Sequence, residues 1–311
     1  MTVDYPTNKI WSTLVTKRAY FGGALVLNHT LKKVGSRYQL KIMVTREAEA
    51  DKEFMAAFAA AGIPTIVIEK IEPSRKGQAN KAFWQKLAPW GMTEYERIVL
   101  LDSDQVILQN IDDLMTMDLP EGYIACSHAC TCNPRKLAHY PPDWTPENCP
   151  FTSTNPHTLA PAPITPSSPP THHLLNSGTV VLTPSKSQFD TLISAIETHP
   201  SVPSMVFPDQ DILAIVYRGK WKPLPYIYNA LKPMRACHAE LWKDEDVKVL
   251  HYILNKPWES KEYNSEDLVE GTHRLWWEAW AEVEKEWTGE AVGGEKRRLF
   301  ESVVRPVVAQ E

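Results

Sequence analysis

The feature that most constrains this chain is a run of four apolar residues that stops without transition. Ile98, Val99, Leu100 and Leu101 are continuously apolar, and Asp102-Ser103-Asp104 follows at once. A strand that is apolar at every position is buried on both faces, the pattern of a parallel sheet covered by helices. Its neighbours agree with that reading. Gln39–Thr45 and Thr65–Ile68 read as further buried strands, and residues 47–61 as the helix between them, stopping at Gly62 with Pro64 beyond. Residues 20–33 read as a second helix ending near Gly35. The spacing therefore predicts an α/β fold, a mostly parallel central sheet flanked by helices.

Strand character recurs at residues 123–125, 179–182 and 247–250, and helical character over Lys186–Thr198 and residues 210–217. Between them the composition shifts. Ten of the 25 prolines lie from Pro141 to Pro170, among Ser, Thr, Asn and His, so residues 134–170 read as a long loop or partly disordered insertion. From Ser265 the chain turns helical and rich in Glu and Trp (Trp276, Trp277, Trp280, Trp287), with Gly293-Gly294 before a basic segment, residues 296–298. This predicts a main domain over residues 1–260 and a C-terminal helical appendage over 261–311.

At 311 residues, 43% hydrophobic and 23% charged, the chain has the composition of a globular protein with a substantial core. A net charge of -5 supplies no basic field for nucleic acid. No run approaches the roughly 18 apolar residues of a membrane span, and no apolar stretch follows a basic start, so a soluble cytoplasmic protein is expected. GxGxxG and GxxxxGK[ST] are both absent, which removes the usual Rossmann and P-loop readings.

Chemistry concentrates at strand ends. Asp102 and Asp104 stand two apart after a buried strand, where an extended backbone would point both carboxylates to one side. Two such oxygens suit a hard divalent cation with coordination positions left for phosphate, although Asp-x-Asp triplets are common as plain turns. His251, after another apolar stretch, can complete such a site, and Lys256 adds a phosphate partner if its loop folds back. Leu175-Asn176-Ser177-Gly178 is placed just before a strand and Asp209-Gln210-Asp211 at a helix start. Small residues there allow close approach, and amides and carboxylates can bond sugar hydroxyls, while a turn and a helix cap are the plainer roles.

Taken together, four blocks resemble glycosyltransferase family 8, in its glycogenin and galactinol synthase branch. They are TLVTKRAYFGGALVL (residues 13–27), IVLLDSDQVILQNIDD (98–113), LNSGTVVLTPS (175–185) and HYILNKPW (251–258), supported by DQDIL (209–213) and LPYIYN (224–229). The resemblance spans about residues 10–260. It implies the Rossmann-like fold called GT-A, a UDP-sugar donor, Mn2+ (or Mg2+), and transfer of a hexosyl group with retention to a small-molecule, glycan or protein acceptor. Carried across, Asp102, Asp104 and His251 resemble the metal ligands, with Ser103 between the acids, and Lys256 the diphosphate contact. Leu14 and Tyr20 resemble residues around the uracil, and Lys86 a lysine reaching the nucleotide sugar. Asn176, Ser177, Gly178, Asp209 and Gln210 resemble the donor-sugar surroundings. Retention requires front-face return or two inversions with an enzyme nucleophile, and Asp209, Gln210 and Asp211 are the candidates near the opposite face.

The competing reading is a non-catalytic nucleotide-sugar-binding or scaffolding member of the same fold; a homodimer is open in either case. Ala236 falls near where glycogenin carries its self-glucosylated tyrosine, so self-priming there is not expected. The insertion, residues 126–174, is expected to have two parts: an ordered one with Tyr140 and Trp144 on the acceptor side, and a surface excursion over 156–170. Cys126, Cys130, Cys132 and Cys149, with His128, could form a zinc site, but their spacing is no standard finger and buried free thiols are the expectation.

Overall fold

The computed structural model describes residues 5–73 and 81–310. In chain order its strands are β1 (Lys9–Leu14), β2 (Gln39–Thr45), β3 (Thr65–Ile68), β4 (Arg97–Leu101), β5 (Gln105–Ile107), β6 (Ile124–His128), β7 (Leu175–Leu182), β8 (Trp221–Leu224), β9 (Ala230–Leu231) and β10 (Val249–His251). Its helices are α1 (Phe21–Lys33), α2 (Arg46–Glu49), α3 (Lys52–Ala60), α4 (Lys186–Thr198), α5 (Pro208–Val216), α6 (Met234–Cys237), α7 (His273–Thr288) and α8 (Gly294–Leu299).

Seven strands form one sheet in the order β3-β2-β1-β4-β7-β6-β8. All neighbours are parallel except β7, which runs antiparallel to both β4 and β6. Alternation along β4 explains its unbroken apolar run: Val99 and Leu101 enter the core on one face, Ile98 and Leu100 the core on the other. Helices α1, α3 and α7 cover the first face, α4, α5 and a 3-10 helix at Lys81–Gly91 the second. A three-stranded sheet, β5-β10-β9, stands beside it.

Some elements differ from the sequence pattern. The helix expected over 47–61 is two, α2 and α3, because Asp51 leaves helical geometry and its Oδ1 caps the second by accepting Phe54 N–H at 3.1 Å. Gly62 does end α3, in the left-handed region at φ +66°. Leu175-Asn176-Ser177-Gly178 lies inside β7 rather than before it. The C-terminal α-helix starts at His273, eight residues later than Ser265 suggested, after a stretch of turns.

Residues 134–170 contain only 3-10 turns, Pro146–Asn148, Pro150–Ser153 and the start of Pro170–His173. The excursion expected at 156–170 is docked: Ala162 is buried and its carbonyl accepts from His128 Nε2 at 3.2 Å, while Leu159 and Ile164 pack against the two cores. The C-terminal segment shares the main core. Trp276, Trp280 and Trp287 are buried, and Trp287 meets Phe21 of α1 edge-on at 6.4 Å. Among the described residues no helix is long and apolar enough to cross a membrane.

Candidate active site

The carboxyl end of β4 opens onto a cavity of about 510 Å³. Ligands of open α/β sheets bind at this end, where the chain leaves the strands in irregular loops. Asp102 N donates to Gly178 O at 2.8 Å and Tyr252 N to Asp104 O at 2.9 Å, so the three-residue turn is clamped between β7 and the segment after β10. β5 begins directly after it and pairs with β10 in a register that puts His251 opposite Gln105. That register delivers an imidazole to two acids that precede it by 149 and 147 residues in the sequence. His251 Nε2 lies 3.2 Å from Asp104 Oδ1 and 3.8 Å from Asp102 Oδ2.

The imidazole is fixed from behind. Its Nδ1 is 2.8 Å from Asn229 Oδ1, whose own Nδ2 donates to Asn176 Oδ1 at 2.7 Å. Asn176 Nδ2 in turn donates to Gln210 Oε1 at 2.9 Å, and Gln105 Nε2 reaches Gly178 O at 2.9 Å. With Nδ1 held by Asn229, Nε2 is turned toward the two carboxylates, where a neutral ring offers a lone pair to a cation and a protonated ring a donor to Asp104. Asp102, Asp104 and His251 offer three ligand atoms within 4.8 Å of one another, a donor set that fits a divalent metal ion.

Two lysines balance the acids. Lys256 Nζ donates to Asp104 Oδ2 in a short contact and to Tyr252 O at 3.0 Å. Lys86 Nζ bridges Asp102 Oδ1 at 2.8 Å and Asp209 Oδ2 at 3.0 Å. Burial disfavours the charged forms here, but the pairing outweighs it: His251 and Lys256 hold the Asp104 carboxyl well below the usual range. Asp102 and Asp209 likewise hold the Lys86 ammonium above its usual value. Asp209 Oδ2 also accepts from Ser177 Oγ at 2.7 Å.

The residues singled out in the sequence are brought together with two exceptions. Leu14, Tyr20 and Lys86 line the cavity, as do Asp102, Ser103, Asp104 and His251, with Asn176, Ser177, Asp209, Gln210 and Lys256. Gly178 lies behind them: a Cβ there would come within 2.4 Å of His251 Cε1. Asp211 serves its own helix, its Oδ2 accepting Phe207 N–H at 3.0 Å.

Sequence reasoning missed the roles of Gln105 and Asn229, both buried polar residues. Gln105 carried a signal, a polar side chain opening the apolar run Val106-Ile107-Leu108; Asn229 carried none beyond ending LPYIYN. It also missed Phe207, which stacks on Trp144 at 5.5 Å and meets Tyr140 edge-on at 5.4 Å. With Pro233 and Met234, this aromatic group forms part of the cavity wall.

The profile of the family "Glycosyl transferase family 8" matches residues 13–262. The chain belongs to glycosyl transferase family 8. Relatives in the family include "Galactinol synthase 1" of Ajuga reptans, 28% identical over 291 residues, which cover 89% of this chain and 82% of that protein. "Galactinol synthase 4" of Arabidopsis thaliana is 28% identical over 279 residues, 84% of this chain and 77% of that one. Among solved structures, galactosyltransferase LgtC in complex with donor and acceptor sugar analogs superposes with a TM-score of 0.57 at 15% identity, covering 93% of this chain and 99% of LgtC. Glycosyltransferase GlyE of Streptococcus pneumoniae TIGR4 gives 0.57 at 17%, covering 90% and 63%. The family 8 chain is thus a glycosyltransferase with a GT-A-like α/β fold.

Proposed function

We propose that the protein is a metal-dependent, retaining hexosyltransferase that takes its sugar from a UDP-sugar, with UDP-galactose the first donor to try and inositol the first acceptor. The names of the plant relatives support that choice, galactinol being galactosyl inositol. The observation that carries the reading is the convergence of Asp102, Asp104, His251 and Lys256 in a cavity that Tyr140, Trp144 and Phe207 also line.

Charge supports the metal. Three carboxylates, Asp102, Asp104 and Asp209, face two ammonium groups, Lys86 and Lys256, which leaves a net negative site when His251 is neutral. A diphosphate cannot settle there unless a further cation reverses the balance. Asp102, Asp104 and His251 would hold a divalent ion, which supplies electrostatic stabilisation for the charge growing on the leaving phosphate. Lys256, released from Asp104, would meet the same phosphate. Leu14 and Tyr20 would flank the base, and Asn176, Ser177 and Gln210 would position the donor sugar.

Retention through two inversions needs a carboxylate free to attack the anomeric carbon. Asp209 is committed to Lys86 and Ser177, and Asp211 to the Phe207 amide. The residues therefore support front-face attack, with the acceptor entering on the leaving-group side and its proton passing to the departing phosphate oxygen.

Hydrolysis of a panel of UDP-sugars with and without manganese tests this. Metal-dependent turnover of UDP-galactose or UDP-glucose is expected, lost in Asp102→Asn, Asp104→Asn and His251→Ala with circular dichroism unchanged. Metal-independent turnover of equal rate, or full activity in any of the three variants, overturns the assignment.

A further inference from the structure

A second cluster of metal-binding side chains lies outside the site just described, and its membership differs from the sequence expectation. Cys126 and His128 take no part: Cys126 is buried in the core on the other face of the sheet, and His128 bonds Ala162 O. Cys130, Cys132 and Cys149 instead converge on His238, more than 80 residues further along the chain. Sγ of Cys132, Cys149 and Cys130 lie 3.1, 3.4 and 3.6 Å from the single nitrogen His238 Nε2. Cys130 Sγ and Cys149 Sγ are 3.9 Å apart.

We propose that Cys130, Cys132, Cys149 and His238 form a tetrahedral structural site for a zinc ion, which staples the long connection after β6 to the segment after β9. A tetrahedron with Zn–S of about 2.3 Å and Zn–N of about 2.0 Å has sulfur–sulfur edges of about 3.8 Å and sulfur–nitrogen edges of about 3.5 Å. The sulfur–nitrogen separations of 3.1, 3.4 and 3.6 Å bracket the second edge, and the Cys130–Cys149 separation of 3.9 Å lies close to the first. Three sulfurs and one imidazole nitrogen are also the Cys₃His set that closed zinc sites use.

Packing of neutral thiols accounts for the arrangement less well. Buried cysteines usually sit against apolar atoms, and one ring nitrogen accepts only one S–H hydrogen bond. Here three sulfurs crowd it, with Cys132, Cys149 and His238 buried. A disulfide would use two sulfurs and leave the third unpaired beside the imidazole. A cation satisfies all four groups at once.

The consequence is local rigidity. Cys130 and Cys132 follow β6 directly, Cys149 sits between two 3-10 turns, and His238 follows α6. Tyr140 and Trp144, which wall the cavity, lie between the second and third ligands in the chain, and Pro233 and Met234 lie just before the fourth. The metal would brace both halves of that wall. The ion does not rest on the proposed transfer reaction.

The test is metal analysis of the full chain, purified without a polyhistidine tag from zinc-containing medium and dialysed against a chelator that removes a weakly held divalent ion from Asp102, Asp104 and His251. About one zinc per chain is expected to remain and to be released as a mercurial titrates the thiols. The cobalt-substituted protein should show thiolate-to-cobalt charge transfer and tetrahedral bands. Zinc content should fall close to zero in Cys132→Ser and His238→Gln and stay unchanged in Cys126→Ser. Because the wild-type measurement stands alone, variants that fail to fold do not shield the proposal. Metal-free wild-type protein with reactive thiols, or a Cys130–Cys149 disulfide found by peptide mass, overturns it, whatever the result with UDP-sugars.

Discussion

Asp104 shows how a carboxylate survives in a dry site. Burial alone would neutralise it, but His251 and Lys256 stand against both of its oxygens and keep it ionised. The arrangement depends on the imidazole staying where Asn229 and β10 hold it, and Gly178 sets how close β7 may come. A Cβ at Gly178 would lie 2.4 Å from His251 Cε1 and 2.6 Å from its Nδ1, and the ring is pinned rather than free to swing. Gly178→Ala should therefore displace the ring, at an overpacking cost of about 1–3 kcal/mol, and lower kcat for donor hydrolysis at least about tenfold with the fold intact. Gly293→Ala, which has open space around it, serves as the control and should change nothing. Wild-type turnover in Gly178→Ala would show that the ring position does not matter.

At the scale of elements, the strand ends supply Asp102, Asp104 and His251, and a loop supplies aromatic residues to the cavity wall. β4, β7 and β10 all end or bend at the cavity, so the charged residues sit on a rigid frame. The 129–174 connection has no strand or α-helix of its own, yet its aromatic residues are built into a cluster: Tyr140 and Trp144 are 4.9 Å apart and both meet Phe207. Aromatic faces suit the C–H surface of a sugar or cyclitol ring, with about 1 kcal/mol or more at stake per ring. Trp144→Ala is expected to raise the acceptor KM roughly tenfold while leaving donor hydrolysis near the wild-type rate. Equal damage to hydrolysis and transfer would instead place Trp144 on the donor side.

Over the whole molecule, the C-terminal helices are part of what holds the site. α7 buries three tryptophans against α1, and its first residue, His273, reaches the loop after β10 through a buried lysine. Lys232 Nζ donates to Asn255 O at 2.6 Å and to His273 Nε2 at 2.9 Å, so the imidazole must be neutral to accept. Burial and the neighbouring ammonium depress His273 from 6.5 to about 4. A base with a depressed folded value stabilises the fold fully above its unfolded value and loses that contribution as pH falls from about 6.5 toward about 4. Thermal unfolding between pH 7.5 and pH 4 should show a falling Tm across this window. His273→Gln, which keeps an acceptor but cannot charge, should make that slope shallower; an unchanged slope would remove His273 as its source.

The sequence alone determined the class of fold, the strand whose end bears the acids, and the helix stops at Gly35 and Gly62. Each of these is encoded within a few residues, by an apolar period or by the left-handed backbone a glycine permits. The break between α2 and α3 was legible only as Asp51, a cap that periodicity averages over. The individual site residues were legible as chemistry but not as a site, and Lys86 came from resemblance alone, because no local pattern marks a lysine whose partners are Asp102 and Asp209. Tertiary structure decided the rest: that Asn229 fixes His251, that Phe207 backs Trp144, and that the partner of three cysteines is His238 and not His128. Those pairings join residues from 22 to more than 100 positions apart, and the register of β10 on β5 and the course of the insertion bring them into contact. Local propensity carries no information about distances of that kind, so only the packed molecule could supply them.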